Sequence, residues 1–352
     1  MIKTLGQFLT SMGVESRFFD MGRHISEISA KTFQEFEEGA ITYPSPYLHH
    51  AWFGLLFWDP DAADTPLLWF LKFPLDEMGK IAPHDRDLFL KQLLSSVGAN
   101  MQAVKDGERL NAVLEGNPFT FTPTPERQAS INARVRQLLQ QPPSSFYQAA
   151  CEYLESDLQD WNNLGVQGLA DLAVRWQQHQ KPLIKAIERM PSTPLSSLSL
   201  CLESETTSGV LAKALVKRID DEIAHTQTST DTSIMASLIR GISHSSALEL
   251  RHKALKRVLV SPASTSVEVL AAIATRCSQD LHNPDLCLSF LEALAKHPQQ
   301  SFNQIMADLL FMPLLRGSIV AQFRSEQRSE HLTTAIGGLF QQYQTPANDQ
   351  LH

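Results

Sequence analysis

From about Pro142 onward the chain loses every strand signal. Apolar residues recur at three- and four-residue steps in "FYQAACEYL", "LADLAVRW", "VLAKALVKRI", "IMASLIRGI", "VLAAIATRC", "CLSFLEALA" and "FNQIMADLLF", the spacing of helix faces. Taking Leu238, Leu255, Ile273, Leu291 and Leu309 as segment centres, the step is about 18 residues and a helix pair recurs at about 36, within the range of α-solenoid repeats. Stacked helical hairpins of HEAT type satisfy this spacing, and so does an irregular bundle with short loops.

The residues before that point obey different rules. "RFFD" and "HISEI" flank Met21-Gly22, which reads as a tight turn whose glycine takes a positive φ. Ser29 is placed to cap a short helix that Gly39 ends. Two apolar runs, Ala51 to Trp58 and Leu67 to Phe73, enclose the polar "DPDAADTP" and predict a β-hairpin. Both parities of the first run are apolar, Trp52, Leu56 and Trp58 against Phe53, Leu55 and Phe57, so both faces must be covered. Pro83 opens a helix running to Gly98, "NPFTF" reads as a short strand, and Thr124-Pro125-Glu126 is a helix start. The expected architecture is an α+β domain with a small antiparallel sheet over residues 1–140, then an all-helical domain over 141–325. A polar C-terminal segment that frays, 326–352, completes it.

With 43% hydrophobic and 19% charged residues the chain can bury a core. A net charge of −8 sets its mean field against phosphate backbones and acidic lipid surfaces. The one basic strip, "RHKALKRVL", carries Arg251, Lys253, Lys256 and Arg257, and it defines RNA binding over 251–257 as a reading to test. The N-terminal apolar run is too short for a signal-peptide core, and no run approaches the roughly 20 residues of a membrane-spanning helix. Cys151, Cys201, Cys277 and Cys287 stand apart in helical contexts without zinc-finger spacing, which reads as buried free thiols in a reducing cytoplasm.

Phosphate-loop, dinucleotide, hydrolase-elbow and zinc-peptidase motifs are absent from the sequence, so neither cofactor nor metal is expected. What remains is concentrated at the hairpin. His49 and His50 adjoin its first strand, where neighbouring residues face opposite ways. Lys72 sits among apolar residues, and a buried ammonium must pair, snorkel or lower its pKa, with Asp20 and Asp76 as partners by type. Asp20 and Arg23 bracket the "FFDMGRH" turn, and Asp59, Asp61 and Asp64 form a solvated hairpin tip without the pattern of a calcium loop. The candidate surface is Asp20, Arg23, His49, His50, Trp52, Trp58, Trp69, Lys72 and Asp76.

Five segments in order, "FDMGR", "HAWFGLLFW", "WFLKFPLDE", "NPFTFTP" and "LGVQGLADL", resemble a bacterial family catalogued as domain of unknown function 3549. The resemblance covers nearly the whole chain. It implies a soluble bacterial protein of this length and supplies no activity, cofactor or catalytic residue. From the residues, the leading expectation is a cytoplasmic protein-recognition or adaptor module rather than an enzyme, since helical stacks present extended grooves. The rival is an enzyme or small-anion binder at the hairpin, with a histidine as base and Lys72 or Arg23 holding an anionic substrate.

Overall fold

The computed structural model describes residues 3–61, 65–97, 114–225 and 232–344. They belong to two compact units, Met1–Thr124 and Pro125–His352. Asp64 and Gly98 lie outside the described residues.

The first unit runs α1 (Leu5–Ser11), β1 (Glu15–Asp20), β2 (Ser26–Ile28), α2 (Ala30–Glu37), β3 (His50–Trp58), β4 (Leu67–Pro74) and α3 (Pro83–Val97). The sheet order is β2-β1-β3-β4 and every pairing is antiparallel. Ser29 caps α2 by accepting from the Thr32 N–H, and Gly39 ends it at φ +69°, where only a residue without Cβ is unstrained. Gly22, by contrast, lies outside the left-handed region. A Cβ there would stand 3.1 Å from Tyr47 Cβ, so close approach of the chain, and not a positive φ, explains the glycine. "NPFTF" forms a single bridge, Leu71↔Thr120, rather than a strand, although Lys72 N–H donates to Phe119 O at 2.8 Å.

Strand alternation sorts the side chains of the hairpin. Ala51, Phe53, Leu55 and Phe57 with Trp69, Leu71 and Phe73 join the helix-packed core, where Phe18 and Phe33 stack at 3.9 Å and Phe57 meets Trp69 edge-on at 4.9 Å. Trp52, Gly54, Leu56 and Trp58 take the opposite face, on which Leu56 and Phe19 are also buried. Both faces of β3 are therefore shielded, as its double apolar pattern requires.

The second unit is helical: α4 (Pro125–Leu138), α5 (Tyr147–Glu155), α6 (Val166–Val174), α7 (Gln180–Ile187), α8 (Ser192–Leu202), α9 (Gly209–His225), α10 (Ser233–Ile242), α11 (Leu248–Val260), α12 (Val267–Arg276), α13 (Pro284–Leu294), α14 (Gln299–Leu310), α15 (Pro313–Phe323) and α16 (Glu330–Gln344). Short 3₁₀ turns intervene at Trp176–His179, Pro262–Thr265 and Ser278–His282. Each helix packs on the next but one. α4, α6, α8, α10, α12, α14 and α16 make one layer in that order, and α5, α7, α9, α11, α13 and α15 make the other. One apolar core runs from Ala129 to Leu339. Two expectations shift here. α4, expected in the first domain, groups with the helical unit. The segment expected to fray carries α16, which is held by buried Leu332, Ala335 and Leu339.

Charged side chains stitch the loops at one edge of the stack. Glu203, just past α8, accepts from Arg127 and, at 2.9 Å, from Arg276 at the end of α12. Ser243 Oγ donates to Glu203 O and Ser246 Oγ to Thr207 O. Arg251 clasps Asp280 through Nε and Nη2 at 2.8 and 2.7 Å and also donates to Ser245 O.

Candidate functional site

At the hairpin the chain enters β3 through a two-residue turn. Tyr47 and His50 exchange both backbone hydrogen bonds at 3.0 Å, and between them Leu48 and His49 take φ of +49° and +60°. That geometry is usually left to Asn-Gly, so two residues with full side chains carry local strain there. His49 is a turn residue and not, as its neighbour is, part of the strand. His50 bonds through Nδ1 to Leu48 O at 2.7 Å and tilts against Trp52.

Half-buried Trp52 is the hub of this end. Its indole N–H donates to Tyr47 O at 2.8 Å, Phe121 packs edge-on at 4.8 Å, and Lys72 Nζ lies 5.5 Å from the ring centre, within cation–π range. Arg23 sits over Tyr47 at 5.7 Å and donates to Pro46 O. Neither carboxylate proposed for Lys72 reaches it by these arrangements. Asp20 pairs in register with Phe53, whereas Lys72 pairs with Trp52, so the two occupy opposite sheet faces. Asp20 accepts the Tyr43 hydroxyl at 2.7 Å, and Asp76 accepts the Met78 and Lys80 N–H groups of its own turn. Trp69 belongs to the core, and Trp58 lies under Arg17. The nine residues divide into an aromatic and cationic group (Arg23, His50, Trp52, Lys72), a buried pair (Asp20, Trp69) and outlying positions (His49, Trp58, Asp76).

The basic strip is mostly neutralised. Arg251 is spent on Asp280, which also meets His252 Nε2 at 2.9 Å, and Arg257 forms a two-pronged pair with Asp220 at 2.7 and 3.1 Å. Lys253 and Lys256 are exposed, and so is Arg257, whose pair with Asp220 lies at the surface.

A groove of about 740 Å³ opens where α11 ends, walled by the Pro262–Thr265 turn, α13 and the segment 296–298. Its apolar wall includes Leu259, Leu288 and Val260, which is 79% exposed. Glu292 is occupied by the Ser329 N–H and O–H, which leaves Lys296 as the exposed charge of the lining.

The family model described as protein of unknown function (DUF3549) matches residues 1–340. The chain belongs to that family. No curated protein and no solved structure matches it.

The DUF3549 segment "LGVQGLADL" has a clear structural office. A Cβ at Gly168 would stand 2.4 Å from Phe146 O, so the glycine lets α6 press against the start of α5. Asp171, three residues on, accepts from the Ser144 N–H at 3.0 Å and pairs with Arg175 at 3.1 Å. Beside it lies a cluster that reading motif by motif did not find. Tyr147 Oη and Cys151 Sγ stand 2.6 and 3.7 Å from His179 Nε2, with Arg175 5.6 Å over the Tyr147 ring. Its only sequence trace is the four-residue step between Tyr147 and Cys151 and between Asp171 and Arg175. Burial pushes the Tyr147 phenol up to about 12 and raises the Cys151 thiol, a hydrogen bond from Tyr147 pulling the thiol the other way. Cys201, Cys277 and Cys287 are buried, and burial holds all three thiols well above the usual range. Cys151 is half-buried rather than buried. Among the described residues no three His, Cys, Asp or Glu side chains are grouped to hold a metal, and no helix is long and apolar enough to cross a membrane.

Proposed function

We propose that this protein is a non-catalytic recognition module of the bacterial cytoplasm, whose helical unit acts as a HEAT-like α-solenoid that binds another protein. The observation that carries the reading is the two-layer stacking of α4 to α16, each helix on its second neighbour, an arrangement that offers grooves between consecutive helices of a layer. The groove at the end of α11 is the contact surface in this reading. Its occupant is a partner segment bearing an apolar side chain for the Val260 wall and a carboxylate for Lys296. Four free thiols support a reducing compartment. The placement of Asp20 and Lys72 on opposite sheet faces weighs against an acid–base site at the hairpin, and the pairing of Arg251 and Arg257 weighs against RNA.

The test is site-specific photocrosslinking in living cells. A crosslinker at position 260 should trap one protein in a discrete adduct, and Lys296→Glu should abolish that adduct while the fold, checked by circular dichroism, persists. Adducts no more abundant than those from exposed Lys217, on another helix, would remove the groove from consideration.

A further inference from the structure

A cleft in the first unit belongs neither to the hairpin surface nor to the groove of the helical unit. α1 buries Leu5, Phe8 and Leu9 in the core, and on its other side Gln7 and Thr10 line a space shared with α2 and β1. That space holds about 390 Å³, within the range of small-molecule sites. The rings of Phe18 and Phe33, stacked at 3.9 Å, form its inner wall. Glu37 fixes its width, since the two carboxylate oxygens accept from Leu5 and Gly6 N–H and so tie α2 to α1. Hydrogen-bonding capacity is left over on three sides. Gln7 uses its carbonyl oxygen on Lys3 N–H, and Gln34 uses its amide nitrogen on Glu38. Among the described residues, Gln7 Nε2, Gln34 Oε1 and the Ser16 hydroxyl bond to no protein group.

We propose that this cleft binds a neutral, polyhydroxylated molecule of monosaccharide size. Hydroxyl groups both donate and accept, which answers a rim offering an amide donor from α1, an amide acceptor from α2 and a hydroxyl from β1. The C–H face of a sugar ring is apolar and suits the wall of Phe18 and Phe33. Charge selects against ionic relatives of the same size. Glu37 is the one ionisable side chain of the described lining, and both of its oxygens are already engaged. A phosphate would find no cation in the lining, and an ammonium no unengaged carboxylate. The raised pKa of Glu37, about 7, accords with a neutral occupant. Because Glu37 holds the two helices together without a ligand, the rim is in place before binding and little ordering is required.

The experiment is saturation-transfer NMR on the full chain with D-glucose, D-galactose and D-ribose, and with glucosamine and glucose 6-phosphate as charged counterparts. At least one neutral sugar should receive saturation from the wild type, and more of it than either charged counterpart. Ala30→Phe, at an exposed position of the lining, fills the space and should abolish the signal. Gln34→Leu and Ser16→Ala remove one polar group each and should weaken binding at least fivefold. No saturation on any of the three neutral sugars, or a signal that survives Ala30→Phe, would overturn the proposal. A stronger response from glucosamine or glucose 6-phosphate would overturn it as well, since the occupant would then be ionic. Circular dichroism of each variant separates loss of the site from loss of the fold.

Discussion

Glu37 offers a quantitative test of how the first unit is held together. Its carboxylate is 1% exposed and accepts from Leu5 N–H at 2.7 Å and Gly6 N–H at 3.0 Å, tying the end of α2 to the start of α1. Burial raises its pKa from the ordinary 4.5 to about 7, outweighing the two backbone hydrogen bonds and Arg86, which lower it, while Glu38 adds a smaller upward push. The folded unit thus keeps this proton over a range where the unfolded chain has released it. Below pH 4.5 both states are protonated and the contribution is complete. Between 4.5 and about 7 it falls steadily, and above 7 it is constant. The loss across that window is roughly 3 kcal/mol.

Glu37→Gln removes the titration while preserving shape, so the difference in unfolding free energy between wild type and variant isolates it. The chain has two units, so the unfolding of the first is followed by its own reporters. A Trp161→Phe, Trp176→Phe background leaves Trp52, Trp58 and Trp69, all in the first unit, as the fluorescent reporters of urea unfolding. Measured at intervals from pH 4.5 to 7.5, the difference should turn against the wild type by about 3 kcal/mol. A difference that stays constant across the window would refute the argument.

Four further outcomes follow from the helical unit. Glu203→Gln removes the carboxylate that Arg127 and Arg276 share and should cost about 3–5 kcal/mol in urea unfolding, because the buried Arg276 guanidinium loses the charge that its Nε meets. Gly168→Ala forces a Cβ toward Phe146 O and should destabilise by about 1–3 kcal/mol. Gly317→Ala, in a helix where nothing lies within 4 Å of the new atom, should raise the melting temperature through a gain of about 0.5–1 kcal/mol. Alkylation by iodoacetamide followed by peptide mass spectrometry should label Cys151 alone in the native protein, and slowly, since its thiol is raised.

Periodicity was sufficient for the hairpin and for the helical half, because burial of one face imposes a period that tertiary context does not erase. Ser29, Gly39 and Pro125 acted as local punctuation and were readable for the same reason. The lysine partners were misjudged because the parity that separates Asp20 from Lys72 depends on cross-strand register, which the order of residues does not display. Gly22 was assigned the wrong cause, since the approach of Tyr47 comes from 25 residues downstream. The Tyr147, Cys151 and His179 cluster was illegible for a third reason: the 3₁₀ turn that swings His179 back toward α5 interrupts any helical spacing. The charged strip at Arg251 looked like a solvated face, yet its first arginine points inward to a carboxylate 29 residues away.

The stitching at one edge of the helical stack also decides how the stack can deform. Arg251 fastens the start of α11 to the turn before α13, whereas the groove lies where α11 ends. Two neighbouring helices bound at one end behave like pages sewn to a spine: they fan apart at the fore-edge more easily than they slide past each other. Any spreading of the groove would pivot on the Arg251–Asp280 clasp, so the softness of one margin is set by ion pairs at the other.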